Sequence, residues 1–188
     1  MKELSIETAE ELRSIGNIPL SILLRYLDSN GDGTGIKDMA TTADTYFIKP
    51  PSGETFLIET INFTIQDNGL FPLDEYGSMG AALATGLLFR VQRQPVAASP
   101  EVEELDLLDN VPITKNEDLS LLGVVTVTVN GVLGLLSLFI DMKKLFGGPL
   151  RLNGKRGDTL ELVVQDDLSS LLGQFMKVGG FKFQDANL

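Results

Sequence analysis

The sequence predicts an all-β protein: an antiparallel β-sandwich or jelly roll of about eight strands over residues 20–188, preceded by a short N-terminal helical arm over residues 1–19. Three observations carry that expectation. Apolar residues alternate with period two in many short segments. Four Asn-Gly pairs, at Asn30, Asn68, Asn130 and Asn153, punctuate those segments with turn chemistry. No series of amphipathic helices alternates with the strands, so two packed antiparallel sheets are favoured over a βαβ fold.

In chain order, residues 5–14 form the best helix candidate. Ser5 is placed to cap it, and Glu7, Glu10 and Glu11 suit the positive end of its dipole. A weak amphipathic pattern at Leu4, Ile6, Leu12 and Ile15 makes residues 1–19 the expected partner-binding arm. The first strand follows at Leu20 to Leu27. A second, Thr45 to Lys49, ends at Pro50-Pro51, which cannot continue a ladder. Phe56 to Gln66 alternates with a phase slip near Thr60, the mark of a bulge. In Leu87 to Gln94, Phe89 and Val91 share one face, and Arg90 and Gln92 the other. Pro95 to Pro112 reads as a long acidic connection. Leu119 to Ile140 carries no charge over 22 residues, long enough for a membrane span. Its β-branched alternation from Val125 to Val129, followed by Asn130-Gly131 as the turn pair, instead predicts a buried hairpin. Strands at Leu138 to Phe146, Thr159 to Gln165 and Phe175 to Phe183 complete the set, with Asp166 to Leu172 as a loop or single helical turn.

Composition narrows the chemistry. The 188 residues contain no Cys, His or Trp, so thiol nucleophiles, His-based triads and ordinary zinc sites are excluded. Carboxylate catalysis, a Lys base and oxygen-held hard metals stay open. The net charge is −11 and is spread along the chain, with no basic stripe, which argues against a nucleic-acid partner. Met1 to Ser5 has no apolar signal core, so no secretory signal is expected.

Few motifs carry chemistry. Asp28, Asn30 and Asp32, with Gly33, fit the first half of a calcium loop, but Met39 stands where a bidentate Glu is needed. The competing reading is an inter-strand loop using Asp and Asn for turn geometry. Arg156-Gly157-Asp158 spells an integrin-type triplet, and is read as part of a turn from Asn153 to Asp158. Asn62-Phe63-Thr64 is a glycosylation sequon placed mid-strand, read as silent. Among the acids near strands, Glu59, Asp67, Asp141 and Glu161, spacing brings no pair together, so no catalytic residue and no cofactor is expected.

The order of turn and strand features resembles small virion proteins of tailed bacteriophages. The matching stretches are Leu27-Asp28 with the loop to Gly35; Tyr46 to Pro51 with Gly53-Glu54; Ile65 to Gly69; Tyr76-Gly77; Leu83 to Gly86; Ile113 to Asn116; and Leu152 to Asp158. The resemblance implies a jelly-roll accessory protein of the capsid decoration or cement type. It would be a non-enzymatic homotrimer that binds the major capsid protein or other virion proteins, in a virion assembled in host cytoplasm. A tail, neck or fibre component that binds a host-surface glycan is the alternative, and a carboxylate-dependent hydrolase is the reading from a third class. Positive mean hydropathy despite 26 acids, with Leu133, Leu135, Leu136 and Leu138 crowded together, points to a function by association.

Overall fold

The computed structural model describes residues 20–93, 103–106 and 111–184. The expected helix over 5–14 and the arm residues Leu4, Ile6, Leu12 and Ile15 lie outside the described residues. Ten strands are described: β1 (Ser21–Tyr26), β2 (Asp44–Ile48), β3 (Glu54–Asn68), β4 (Leu87–Arg93), β5 (Glu103–Asp106), β6 (Val124–Asn130), β7 (Leu133–Asp141), β8 (Leu150–Asn153), β9 (Thr159–Val164) and β10 (Gly173–Gln184). Two single-turn helices accompany them, α1 (Asn116–Leu119) and α2 (Met142–Phe146).

The pairing has a simple rule. β1 pairs with β10, β2 with β9 and β3 with β8, all antiparallel. The chain is thus a long antiparallel ribbon whose successive strand pairs fall alternately in two sheets. Further pairings of β10 with β3, and of β9 with β4, close the wound layers. One sheet runs β1-β10-β3-β7-β6, with β8 beside β3; the other runs β2-β9-β4-β5. This is the winding of a jelly roll, as the sequence predicts.

The core lies between the sheets. Phe63, Ile65, Leu138, Ile140, Met176 and Val178 from the first sheet meet Tyr46, Phe89, Val91, Leu160 and Leu162 from the second, all buried. Each such side chain contributes about 1.5–3 kcal/mol on leaving water. The alternation of β4 stands as expected: Phe89 and Val91 are buried, whereas Arg90 and Gln92 are partly exposed.

The phase slip in β3 is a bulge. Gly179 of β10 faces Thr60 and Gly180 faces Ile58, leaving Glu59 as the extra residue. Before it Phe56 and Ile58 point into the core; after it Ile61, Phe63 and Ile65 do. Leu57 consequently packs on the other face, in a small cluster with Phe183, Leu20 and Phe181. Gly180 makes the close approach possible: it sits at φ 156°, and a Cβ there would lie 2.0 Å from the Leu57 carbonyl oxygen.

Several expectations need correction. The described strands number ten rather than about eight. Leu138 to Phe146 is not one strand: β7 ends at Asp141, whose side chain accepts the N–H groups of Lys143 and Lys144 and so starts α2. The acidic connection contains β5, in register with Glu103 opposite Arg93 and Asp106 opposite Arg90. The Leu119 to Ile140 segment is a hairpin, as expected, but only partly buried: Leu136, Leu138 and Ile140 of β7 lie in the core, whereas β6 is exposed along nearly its whole length. Its two-residue loop is Gly131-Val132, one residue later than expected, because Asn130 pairs with Leu133. Gly131, at φ 67°, takes the first turn position, where positive φ is needed.

Candidate functional site

The β6–β7 hairpin is the part of the described molecule that departs furthest from an ordinary solvated surface. Residues directly opposite in an antiparallel pair share a face. Val124 therefore joins Phe139, Thr126 joins Ser137, and Thr128 joins Leu135 on the outer side of the sheet. Leu136, Leu138 and Ile140 alternate with these and are buried. Outward stand Leu133, Leu135 and Phe139, each at least 40% exposed, beside Val124 at 62% and Val132 at 77% in the turn. Leu121 continues the patch before β6. The Leu133 to Leu138 cluster is thus split by the strand period into a core half and a surface half.

The hairpin also overhangs the core. Val127 and Val129 lie on the core side of the sheet, yet Val127 remains 47% exposed. Among the described residues no further strand pairs beyond β6, so its free edge presents backbone N–H and C=O groups to solvent. Residues flanking a two-residue turn exchange hydrogen bonds, and bonded pairs then alternate along the ladder. Asn130, Thr128, Thr126 and Val124 therefore bond to β7, and Val125, Val127 and Val129 aim their backbone groups outward. The strand has neither a charge nor a proline to block a newcomer. Chemically, such a surface can bury apolar area and extend a sheet.

The motifs singled out in the sequence fall elsewhere and serve the structure. The Asp28 carboxylate accepts N–H bonds from Asn30, Gly31 and Gly33, so both its oxygens organise the loop after β1. Asp32 accepts from the Thr34 N–H at 2.9 Å and from the Thr34 hydroxyl, which hold its carboxyl below the ordinary 3.8. Asn30 bridges the two, its Oδ1 accepting from the Asp32 N–H. These contacts are those of Asx turns, and among the described residues no cluster of three or more acids could hold a metal ion. The Arg156-Gly157-Asp158 triplet is locked in the crossing from β8 to β9. Arg156 donates to Asp158 at 2.6 Å, and Asp158 is fully buried. Asn62 sits in the middle of β3, between β10 and β7.

The carboxylates near strands remain apart in role. Glu161 pairs with Arg90 at 2.9 Å and accepts from the Thr159 hydroxyl. Asp67 accepts the N–H groups of Asn68 and Ser78. Asp141 caps α2. Asp166 accepts from the backbone of Ala84, Thr85 and Gly86, and its neighbour Asp167 from Ser169. Sequence reasoning finds the uncharged hairpin but places it inside. The missing signal is its position at the sheet edge, which only the order of strands reveals. Among the described residues no helix is long and apolar enough to cross a membrane. Comparison of the chain with protein-family models, curated proteins and solved structures finds no match.

Proposed function

We propose that the chain is a non-enzymatic structural protein of a virion, a decoration or cement protein that acts by binding neighbouring subunits. The observation that carries this reading is the uncharged, apolar outer face of the β6–β7 hairpin, in a protein that otherwise bears a net charge of −11. A surface of that kind is costly to leave in water and marks a contact with another protein. Jelly-roll winding is compatible with the role, since capsid proteins use the same architecture; it is equally used by lectins, so fold alone does not choose. The choice rests on the sequence resemblance to phage accessory proteins, which also implies a trimer and the major capsid protein as partner.

Copy number on purified virions tests the reading. Hundreds of copies per particle are expected, and a chain carrying Leu135→Asp and Phe139→Lys should fold yet fail to co-sediment with particles. A handful of copies would place the protein at the neck or tail. Its absence from particles, or undiminished binding by the double variant, would overturn the proposal.

A further inference from the structure

We infer that β6 is a two-fold contact at which a second copy of this chain adds its own β6 in antiparallel fashion, making one sheet continuous across two subunits. This rests on the association reading above but not on its virion setting, and it takes a two-fold pair in place of the trimer that the resemblance implies. The occupant is indicated by the strand itself. Val125-Thr126-Val127-Thr128-Val129 reads the same in both directions, centred on Val127. An isologous contact requires such self-complementarity, because each residue on one side must meet its symmetry mate on the other.

The backbone obeys the same symmetry. With the axis at Val127, Val127 faces the second copy's Val127, Val125 faces Val129, and Thr126 faces Thr128. Val125, Val127 and Val129 are the residues whose N–H and C=O groups point away from β7. In this register they meet one another, so every outward donor on one edge finds an outward acceptor on the other. A slip of one residue would set outward groups against inward ones.

Side chains agree as well. The valines of both copies form one apolar row on the core side, covering the surface that Val127 and Val129 expose. The threonines face each other on the opposite side, where hydroxyls can bond across the strands. Electrostatics removes the main obstacle to self-association. Two copies carrying −11 each repel, and the Leu119 to Ile140 segment, without a charged residue, is where they can approach. The other strands at sheet edges do carry charge: Arg25 in β1, Asp44 in β2, and Glu103, Glu104 and Asp106 in β5.

A single cysteine gives a direct test, since the chain has none of its own. In the two-fold register a Val127→Cys thiol lies opposite its own copy, with Cα atoms about 5.5 Å apart, within disulfide reach. Mild oxidation should convert the variant to a covalent dimer, whereas Ile22→Cys, on the exposed strand at the far side of the sheet, should stay largely monomeric. Sedimentation supplies the second arm. The unmodified chain should show twice the chain mass at micromolar concentration. Val127→Pro should show one chain mass with an unchanged far-ultraviolet spectrum, because the lost N–H serves only the open edge. A wild-type monomer, a trimer in which the Val127→Cys variant does not cross-link to its own copy, or a dimer that survives Val127→Pro would each overturn the two-fold contact. Particle binding by a chain that is monomeric in solution would leave the virion proposal standing while this one falls.

Discussion

Tyr76 donates its phenolic hydrogen to Oε1 of Gln174 at 2.5 Å, joining the loop after β3 to the start of β10 inside the core. Both residues are fully buried. Burial holds the Tyr76 hydroxyl well above its ordinary 10.0, because phenolate would be stranded without water. The native state therefore keeps this proton more tightly than the unfolded chain. Its contribution is complete below the ordinary tyrosine value and is lost as pH rises beyond it toward the folded value.

Tyr76→Phe should cost about 1–3 kcal/mol at neutral pH, since the Gln174 carbonyl loses its partner without replacement. The variant should also show a shallower loss of stability above about pH 10. Urea unfolding across neutral and alkaline pH checks both; parallel alkaline limbs for the two proteins would contradict the assignment.

Asp166→Ala should release the loop before β4. Three consecutive N–H groups, of Ala84, Thr85 and Gly86, lose one carboxylate acceptor together. Hydrogen bonds to a charged group contribute about 1.5–3 kcal/mol each at most, and partial exposure lets water recover part of that. A loss of about 2 kcal/mol is expected by chemical denaturation, with faster amide exchange at residues 84–86.

The loop of Asp28 to Gly33 should be indifferent to calcium. Its carboxylates are engaged by backbone N–H groups, so neither calcium nor EDTA is expected to shift the Tm by more than a degree or so. Asp28→Ala should still destabilise by about 1–3 kcal/mol, because buried N–H groups of Gly31 and Gly33 would be left unpaired. A clear rise of Tm with calcium would return the loop to the status of a metal site.

Gly180→Ala should be among the most damaging single-methyl changes in the protein. The added Cβ meets backbone, the Leu57 carbonyl and the Glu59 N–H, rather than a flexible side chain. Relief requires moving the bulge, and a loss of more than about 2 kcal/mol is expected. Gly53→Ala makes the matched control: it also has positive φ but meets nothing within 4 Å, so its cost should be the smaller.

Much of this fold is legible in the sequence because local rules and global winding agree. Asn68, Asn130 and Asn153 each end a strand, and the slip at Thr60 marks a true bulge. What escapes has physical causes. Leu150-Arg151-Leu152-Asn153 is too short to show a period. Glu103 to Asp106 is rich in residues disfavoured in strands, and its strand state shows only in its backbone register with β4. Met142 to Phe146 is apolar enough to read as more of β7, until the Asp141 cap is seen. The hairpin is misplaced for a different reason. Absence of charge reads as burial, whereas a strand at the sheet edge can be uncharged and still face solvent.

The position of β10 also governs when the protein can fold during synthesis. Among the described residues β1 pairs with β10 alone, and β3, the central strand, pairs with β10 from Glu54 to Gln66 apart from the bulge. A chain emerging from the ribosome therefore holds its longest strand half-paired until residues beyond 172 have left the exit tunnel. Pairings this distant are slow to form and offer no stable subunit on the way. Translation arrest at Leu172 should yield a protease-sensitive nascent chain, and release of β10 should convert it to the protected form in one step.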